Sequence, residues 1–171
     1  MKIRSTAFSV LVFSLLSSAL VAQTEIILKQ EDSPIQIVEY KAGVYHSSSQ
    51  GEYIETKLVL KNVSNSKIAV ARYRVIAFNS FNEYFDSIAG LIFKDWKGIM
   101  PEETLKHELA NRSFGVEFFD GYGTGFAFID AVRFEDGIIW RANRDDIVSQ
   151  IKEVYESFSG DMITETKKNR S

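Results

Sequence analysis

Residues 126–141 read FAFIDAVRFEDGIIWR, and this stretch decides the fold class. Apart from Asp130, large apolar residues occupy every second position from Phe126 to Phe134, which is typical of a strand with one buried face. Asp136-Gly137 follows, and Asp-Gly between two alternating segments is a strong signal of a β-hairpin. The stretch therefore predicts a tight turn at Asp136 and Gly137, with Trp140 in or beside the core.

Asp130 interrupts the apolar face of this predicted strand. Strict alternation places it with Phe126, Phe128, Val132 and Phe134. A lone buried carboxylate is costly, because it loses its hydration without gaining a partner. We therefore predict a β-bulge or an edge position at Asp130, and a functional role is the less favoured alternative.

Working outward from this stretch, segments with strand alternation recur along the chain. In the segment 67–78, Arg72 and Arg74 lie on the face opposite to the apolar side chains. The polar turn 62–66 joins this segment to 52–61 and predicts a hairpin between the two. Further strands are expected at 35–40, 105–109 and 114–119, while 26–28 reads as either a first strand or a mobile leader.

Seven or eight short strands separated by turns are typical of a β-sandwich. The sequence therefore predicts a mainly β, immunoglobulin-like antiparallel sandwich over residues 34–142. The chain has no cysteine, so it lacks the disulfide of antibody domains. Its stability must come from burial, for which 13% aromatic residues provide the material.

The periodicity changes after the last strand and predicts a helix over 143–158. Asn143 suits the N-cap, and Gly160 suits the end. We expect the helix to dock on its own domain through an apolar stripe, although docking on another chain is the alternative. A polar tail follows at 159–171, and the stripe consists of Ile147, Ile151, Val154, Tyr155 and Phe158.

The beginning of the chain reads as a secretory signal peptide over residues 1–22. Lys2 and Arg4 supply the positive region, and the uncharged, mostly apolar stretch 7–21 is short for a membrane span. Cleavage after Ala22 is favoured over cleavage after Ala19, and an uncleaved anchor is the alternative. We therefore expect a secreted or periplasmic protein with a short lead at 23–33 and no stable membrane span after cleavage.

The charge balance bears on the class of partner. Lys2 and Arg4 are the only charges before residue 23, so the remaining chain has 18 basic residues against 23 acidic ones, a net charge of −5. Nucleic acid and anionic lipid both favour a basic face, so neither is the expected partner.

Two stretches, 62–79 and 127–140, resemble a known group of domains. Asn62-Val63-Ser64 leads into a long strand ending in Phe78-Asn79, and the aromatic-Glu-Asp-Gly hairpin at 134–137 closes on Trp140. Over residues 34–141 the chain resembles bacterial exported immunoglobulin-like domains of the FxLYD-like class, which are largely uncharacterised. The resemblance implies the sandwich fold and no shared catalytic residues. Those domains usually carry glycine where this chain has Glu102, so the resemblance leaves the turn at 100–102 open.

The sequence contains few residues suited to catalysis or metal binding. His46 and His107 are the only histidines and are expected at the surface, because neither has a carboxylate and a nucleophile at a fitting spacing. The glycine-rich segment 121–125 reads as a hairpin loop, since no helix follows it to form a phosphate loop. The aspartates are too scattered for a calcium loop. No cofactor, metal site or catalytic residue is predicted.

The remaining candidates are aromatic side chains near predicted loops. Tyr84, Trp96 and Tyr122 could form a binding surface, although filling the core is the expected role of most aromatics here. These observations predict a non-enzymatic exported domain that binds a protein or another component of the cell envelope. The alternative is a carbohydrate-binding module that uses exposed aromatics. The ligand, the oligomeric state and the biological process stay open.

Overall fold

The computed structural model describes residues 24–47, 51–92, 97–112 and 122–163 of the 171-residue chain. The predicted signal peptide at 1–22, the strand predicted at 114–119 and the candidate residue Trp96 lie outside the described residues. The part of the predicted tail after Ile163 does so as well.

The described residues form a mainly β sandwich of two sheets with one C-terminal α-helix, as the sequence predicted. Eight strands occur in these ranges: β1 Thr24–Ile27, β2 Ile35–Ser47, β3 Gly51–Asn62, β4 Ile68–Asn79, β5 Tyr84–Ile92, β6 Thr104–Arg112, β7 Tyr122–Phe134 and β8 Ile139–Arg141. The helix α1 spans Arg144–Lys152, and a 3-10 helix spans Gly160–Ile163.

The larger sheet has the strand order β1-β7-β4-β5, with β8 also paired to β7, and the smaller sheet has the order β2-β3-β6. β1 runs parallel to β7, and the other pairs are antiparallel. Residues 26–28, which the sequence left open, thus include the end of a first strand.

The predicted hairpin between β3 and β4 is wrong. β3 pairs with β2 and β6, whereas β4 pairs with β5 and β7, so the turn between them crosses from one sheet to the other. The Asn62 side chain holds this crossing, since its amide donates to the carbonyls of Ser66 and Ile99 at 2.9 and 3.1 Å. Its oxygen accepts from the Ser64 backbone at 3.0 Å. Polar turn residues signal a reversal of the chain, but they do not specify whether the two strands pair.

The main core lies between the two sheets. It is formed by inward-facing apolar residues of both, among them Ile35, Leu58, Leu60, Ile68, Tyr73, Val75, Ala127, Ile129 and Val132. Trp140 packs against this cluster and is partly buried, which confirms the predicted location beside the core. Its indole Nε1 donates to Asp32 Oδ2 at 3.2 Å. The preceding turn is also as predicted, with Gly137 at φ +89° and Asp136 Oδ1 accepting from the Ile138 backbone at 3.0 Å.

A second apolar cluster covers the opposite face of the larger sheet. Ile147 and Ile151 of α1 contact a set of sheet residues that includes Ile76, Phe78, Phe126 and Phe128. The expectation that the helix docks on its own domain is therefore confirmed. Asn143 is its N-cap, with its side chain accepting from the Asp145 backbone.

The helix is shorter than the predicted range 143–158, because turns follow its last residue, Lys152. Val154 is consequently 53% exposed and does not belong to the buried stripe. Phe158 is only 2% exposed, although it lies beyond the helix. It reaches the cluster through the turn segment, and its ring lies 5.9 Å from that of Phe78 between centroids.

The segment after β1 secures the outer edge of β7 through glutamine side chains. The amide of Gln30 accepts from the backbone nitrogen of Ile129 and donates to its carbonyl, both at 2.8 Å. Gln150 of α1 makes the same pair of contacts with the backbone of Lys29, at 2.8 and 2.9 Å. Gln30 thus takes the place of a neighbouring strand at Ile129, and the contacts of Gln150 tie α1 to the segment after β1.

Candidate functional site

The two described candidates, Tyr84 and Tyr122, belong to different apolar clusters and do not form a common surface. Tyr122 is 5% exposed and lies in the main core, where its hydroxyl is 3.0 Å from that of Tyr40. Burial raises the pKa of Tyr122 to about 12. Tyr84 belongs to the helix-side cluster, is partly buried and donates its hydroxyl hydrogen to the Met162 carbonyl at 2.9 Å. Tyr122 therefore offers no ring face to a sugar, Tyr84 packs edge-on against Phe78, and Trp96 lies outside the described residues.

The glycine-rich segment is not a loop over its described part. Tyr122, Gly123 and Gly125 lie within β7. A Cβ at Gly125 would lie 2.2 Å from the hydroxyls of both Tyr40 and Tyr122, so this glycine makes room for the tyrosine pair. Residues 120 and 121 lie outside the described ranges.

His107 is not the surface residue that the sequence predicted. Its ring is partly buried and lies edge-on to Tyr73, with the ring centroids 5.5 Å apart. Its Nε2 is buried and has no hydrogen-bond partner, and burial lowers the pKa of the imidazole. His46 lies in β2, and its side chain is not among those described. Within the described residues, no three His, Cys, Asp or Glu side chains are grouped as metal ligands.

The polar cluster with the best-defined geometry lies on the helix-covered face of the larger sheet. Phe78 and Ile76 of β4 lie in the apolar cluster below α1. Arg74 and Arg72 follow on the same face of the strand, because alternate residues point the same way. Arg74 is 4% exposed, although the sequence placed both arginines on the face away from the core. The helix and the segment after it cover a face that alternation alone leaves open.

Asp130 of β7 lies at a β-bulge, on the same face of the sheet as these arginines. Arg72 pairs with Ala131 and Tyr73 with Ile129, so Asp130 is the extra residue of β7 at this point. The bulge predicted from the sequence is therefore confirmed. Alternation up to the bulge keeps Asp130 on the helix-covered face with Phe126 and Phe128, where it meets the two arginines. The bulge moves Val132 to the opposite face, into the main core.

One oxygen of Asp130, Oδ2, contacts both arginines. Arg74 Nε donates to Asp130 Oδ2 at 3.1 Å, and Arg72 Nε forms an ion pair with the same oxygen at 2.5 Å. The side chains of Asp130 and Arg72 are 20% and 30% exposed, so the group lies at the edge of the buried region. The contact between Arg74 and Asp130 is a charge-assisted hydrogen bond, a type that is stronger than a hydrogen bond between neutral groups.

A cavity of about 190 Å³ opens beside this group, and we call it the arginine cavity. Arg141 of β8 and Arg144, the first residue of α1, line it together with Arg72, Arg74 and Asp130. Both additional arginines are exposed, and Arg144 donates to the Gly160 carbonyl at the start of the 3-10 helix. The apolar lining is Phe128, Ala142, Ile147 and Ile163.

The described lining of the arginine cavity has four arginines and one aspartate, an excess of three positive charges. This excess is local, since the chain as a whole has a net charge of −3. Guanidinium groups stay protonated at any physiological pH and act only as hydrogen-bond donors. The arrangement is therefore suited to holding an anion and not to transferring a proton.

No helix in the described ranges is long and apolar enough to cross a membrane; α1 has nine residues.

Comparisons with known proteins do not show a family. No family model matches the chain, and neither does any curated protein. A hypothetical protein from Peptoclostridium difficile 630 is similar in structure, with 12% sequence identity, a TM-score of 0.46 and coverage of 79% of this chain and 96% of that one. A target of the Northeast Structural Genomics Consortium is similar at 12% identity and a TM-score of 0.40, with 64% of this chain and 80% of that one covered. Similarities this weak carry no conclusion about function, and the resemblance to the FxLYD-like class stays a prediction.

Proposed function

We propose that this protein is an exported, non-enzymatic domain that binds a component of the cell envelope, such as a protein or polymer with anionic groups. The observation that carries the proposal is the arginine cavity. Its charged lining consists of four guanidinium groups and the carboxylate of Asp130. The Nε atom of Arg72 and the Nε atom of Arg74 both contact Asp130 Oδ2.

The chemistry of these side chains favours binding over catalysis. General acid–base catalysis needs a group whose pKa lies near the working pH, and nucleophilic catalysis needs an activated nucleophile. Arginine provides neither at neutral pH. His107 could act as a general acid or base, but its ring packs against Tyr73 between the sheets and does not line the cavity.

The expected export supports an envelope partner. The signal-peptide pattern at 1–22 implies that the folded domain meets its ligand outside the cytoplasm. An excess of positive charge in one cavity of a net negative chain gives the anionic groups of such a partner a defined place to bind.

The proposal is tested by co-sedimentation of the purified chain from residue 23 with isolated cell envelopes, together with a panel of hydrolase substrates. We expect saturable sedimentation that unlabelled protein competes away, and no turnover. Turnover that is lost in His107→Gln would contradict the non-enzymatic assignment. An absence of saturable sedimentation would contradict the envelope partner.

A further inference from the structure

We propose that the arginine cavity binds a phosphate-type group, that is, a compact tetrahedral oxyanion with close to two negative charges. This inference rests on the proposed binding function and names the class of its ligand. Three features of the cavity carry it: its charge, its donors and its size.

The charge of the cavity calls for more than one negative charge. Asp130 balances one of the four arginines, which leaves an excess of three positive charges in the described lining. A carboxylate ligand would remove one of these charges. A phosphate monoester carries about −1.5 to −2 at neutral pH, so it balances the cavity more completely.

The donors of the cavity are of the kind that recognises phosphate oxygens. Each guanidinium has five N–H donors in a planar fork that fits phosphate in a bidentate manner. The described contacts use Nε of Arg74 and Nε of Arg72 for Asp130, and one terminal nitrogen of Arg144 for Gly160. Arg141 and Arg144 lie exposed at the mouth of the cavity, while Arg74 lies buried at its base.

The size of the cavity selects a compact group. Its volume is about 190 Å³, whereas pockets for drug-sized ligands measure roughly 300–1,000 Å³. A phosphate group fits this volume, and any larger ligand must leave its remaining part outside. The natural source is therefore either free phosphate or a phosphate ester presented by a larger envelope component.

The test is isothermal titration calorimetry of the chain from residue 23 at constant ionic strength, with inorganic phosphate, glycerol 3-phosphate and acetate as separate ligands. We expect one phosphate per chain, and acetate weaker by about tenfold or more. Binding should tighten as the pH rises from 5 to 7.5, because the second phosphate proton leaves near pH 6. Equal or tighter binding of glycerol 3-phosphate indicates an esterified source, and a preference for inorganic phosphate indicates free phosphate; both support a phosphate-type ligand.

The test uses the double variant Arg141→Gln/Arg144→Gln, with Arg133→Gln as its control. Arg141 and Arg144 are exposed, so their replacement should leave the fold intact, and melting curves check this. Arg133 is an exposed arginine of β7 outside the cavity lining. We expect the double variant to weaken phosphate binding at least about tenfold and Arg133→Gln to leave it unchanged.

Three results would overturn the inference: no phosphate binding, acetate binding as tight as phosphate, or an equal loss in Arg133→Gln and the double variant. Absent phosphate binding with intact envelope sedimentation removes the ligand class and leaves the proposed function standing. Phosphate binding without envelope sedimentation supports the phosphate-type ligand and contradicts the envelope partner.

Discussion

Arg74 Nε donates to Asp130 Oδ2 at 3.1 Å, across two strands that pair directly in the larger sheet. The arginine is almost fully buried, and the aspartate is the extra residue at a bulge of the neighbouring strand. The contact joins β4 to β7 beside the arginine cavity, so the stability of the fold should depend on Asp130.

Asp130→Asn removes this charge without changing the size of the side chain. Breaking a buried ion pair typically costs 3–5 kcal/mol. Because Asp130 is 20% exposed, we expect a smaller loss of unfolding free energy, about 2–3 kcal/mol. Added phosphate should raise the melting temperature of this variant more than that of the wild type, since it supplies the missing negative charge.

Asp136→Asn is the control for this substitution, because Asp136 is exposed in the final turn and an asparagine oxygen can also accept from the Ile138 backbone. It should change stability by less than about 0.5 kcal/mol. Equal effects of the two substitutions would mean that the Asp130 contacts do not stabilise the fold.

The docking of α1 is tested by two residues three positions apart. Ile151 is fully buried, whereas Val154 is 53% exposed. Ile151→Ala should cost about 2–4 kcal/mol, and Val154→Ala should stay within about 0.5 kcal/mol. Chemical denaturation measures both. Size-exclusion chromatography should show the same oligomeric state for both variants, and a dimer that dissociates only in Ile151→Ala would indicate that the helix docks on another chain.

The location of Val154 illustrates what local periodicity can and cannot predict. Alternation identified β4 and β7, and the three- and four-residue spacing identified α1 with its N-cap at Asn143. The same spacing extended the helix too far, because Phe158 is buried for a different reason. It reaches the apolar cluster from a turn, and a sequence pattern does not distinguish that from a further helical turn.

The candidate site could be predicted only in part. The odd position of Asp130 within an apolar face was visible in the sequence, and the bulge followed from it. Its partners were not visible, because Arg74 precedes it by 56 residues and the strand pairing that joins them is not a local property. Alternation also assigned Arg74 to an open face, since nothing near residue 74 indicates that a C-terminal helix covers that face.

The stability of the protein should fall as the pH drops below about 6.5, and His107 should account for part of the change. Burial lowers the pKa of this imidazole in the folded chain below the unfolded value, near 6.5. The unfolded chain then binds more protons than the folded chain around and below that pH, so protonation favours unfolding. The loss should level off below the folded pKa.

Denaturation between pH 7.5 and 5.5 measures this effect in the wild type and in His107→Leu. The variant should show a shallower decline, because it lacks the buried imidazole of His107. Parallel curves for the two proteins would contradict the buried, neutral state of His107.

Glu102 occupies a backbone conformation that favours glycine. Its φ is +60°, and the Glu103 backbone donates to the Met100 carbonyl at 3.1 Å, so residues 100–103 form a turn of type II geometry. The left-handed region costs an L-residue about 1–2 kcal/mol. Glu102→Gly should therefore raise the unfolding free energy. Two effects reduce the gain to about 0.5–1 kcal/mol: the exposed ion pair with Lys61 is lost, and glycine has more conformational freedom in the unfolded chain.

Asn82→Gly is the matched control for Glu102→Gly. Asn82 has a φ of +64°, and asparagine tolerates this region better than glutamate. Chemical denaturation should show a gain for Asn82→Gly of less than about 0.5 kcal/mol. A loss of stability in Glu102→Gly would mean that the ion pair with Lys61 outweighs the backbone strain.

The most direct test of the arginine cavity as the binding site follows the Nε–Hε signals of the arginines by NMR during a phosphate titration at constant ionic strength. The account predicts saturable shifts for Arg141 and Arg144, with one common dissociation constant, and no saturable shift for Arg133. Uniform, unsaturated shifts of all exposed arginines would contradict a defined anion site.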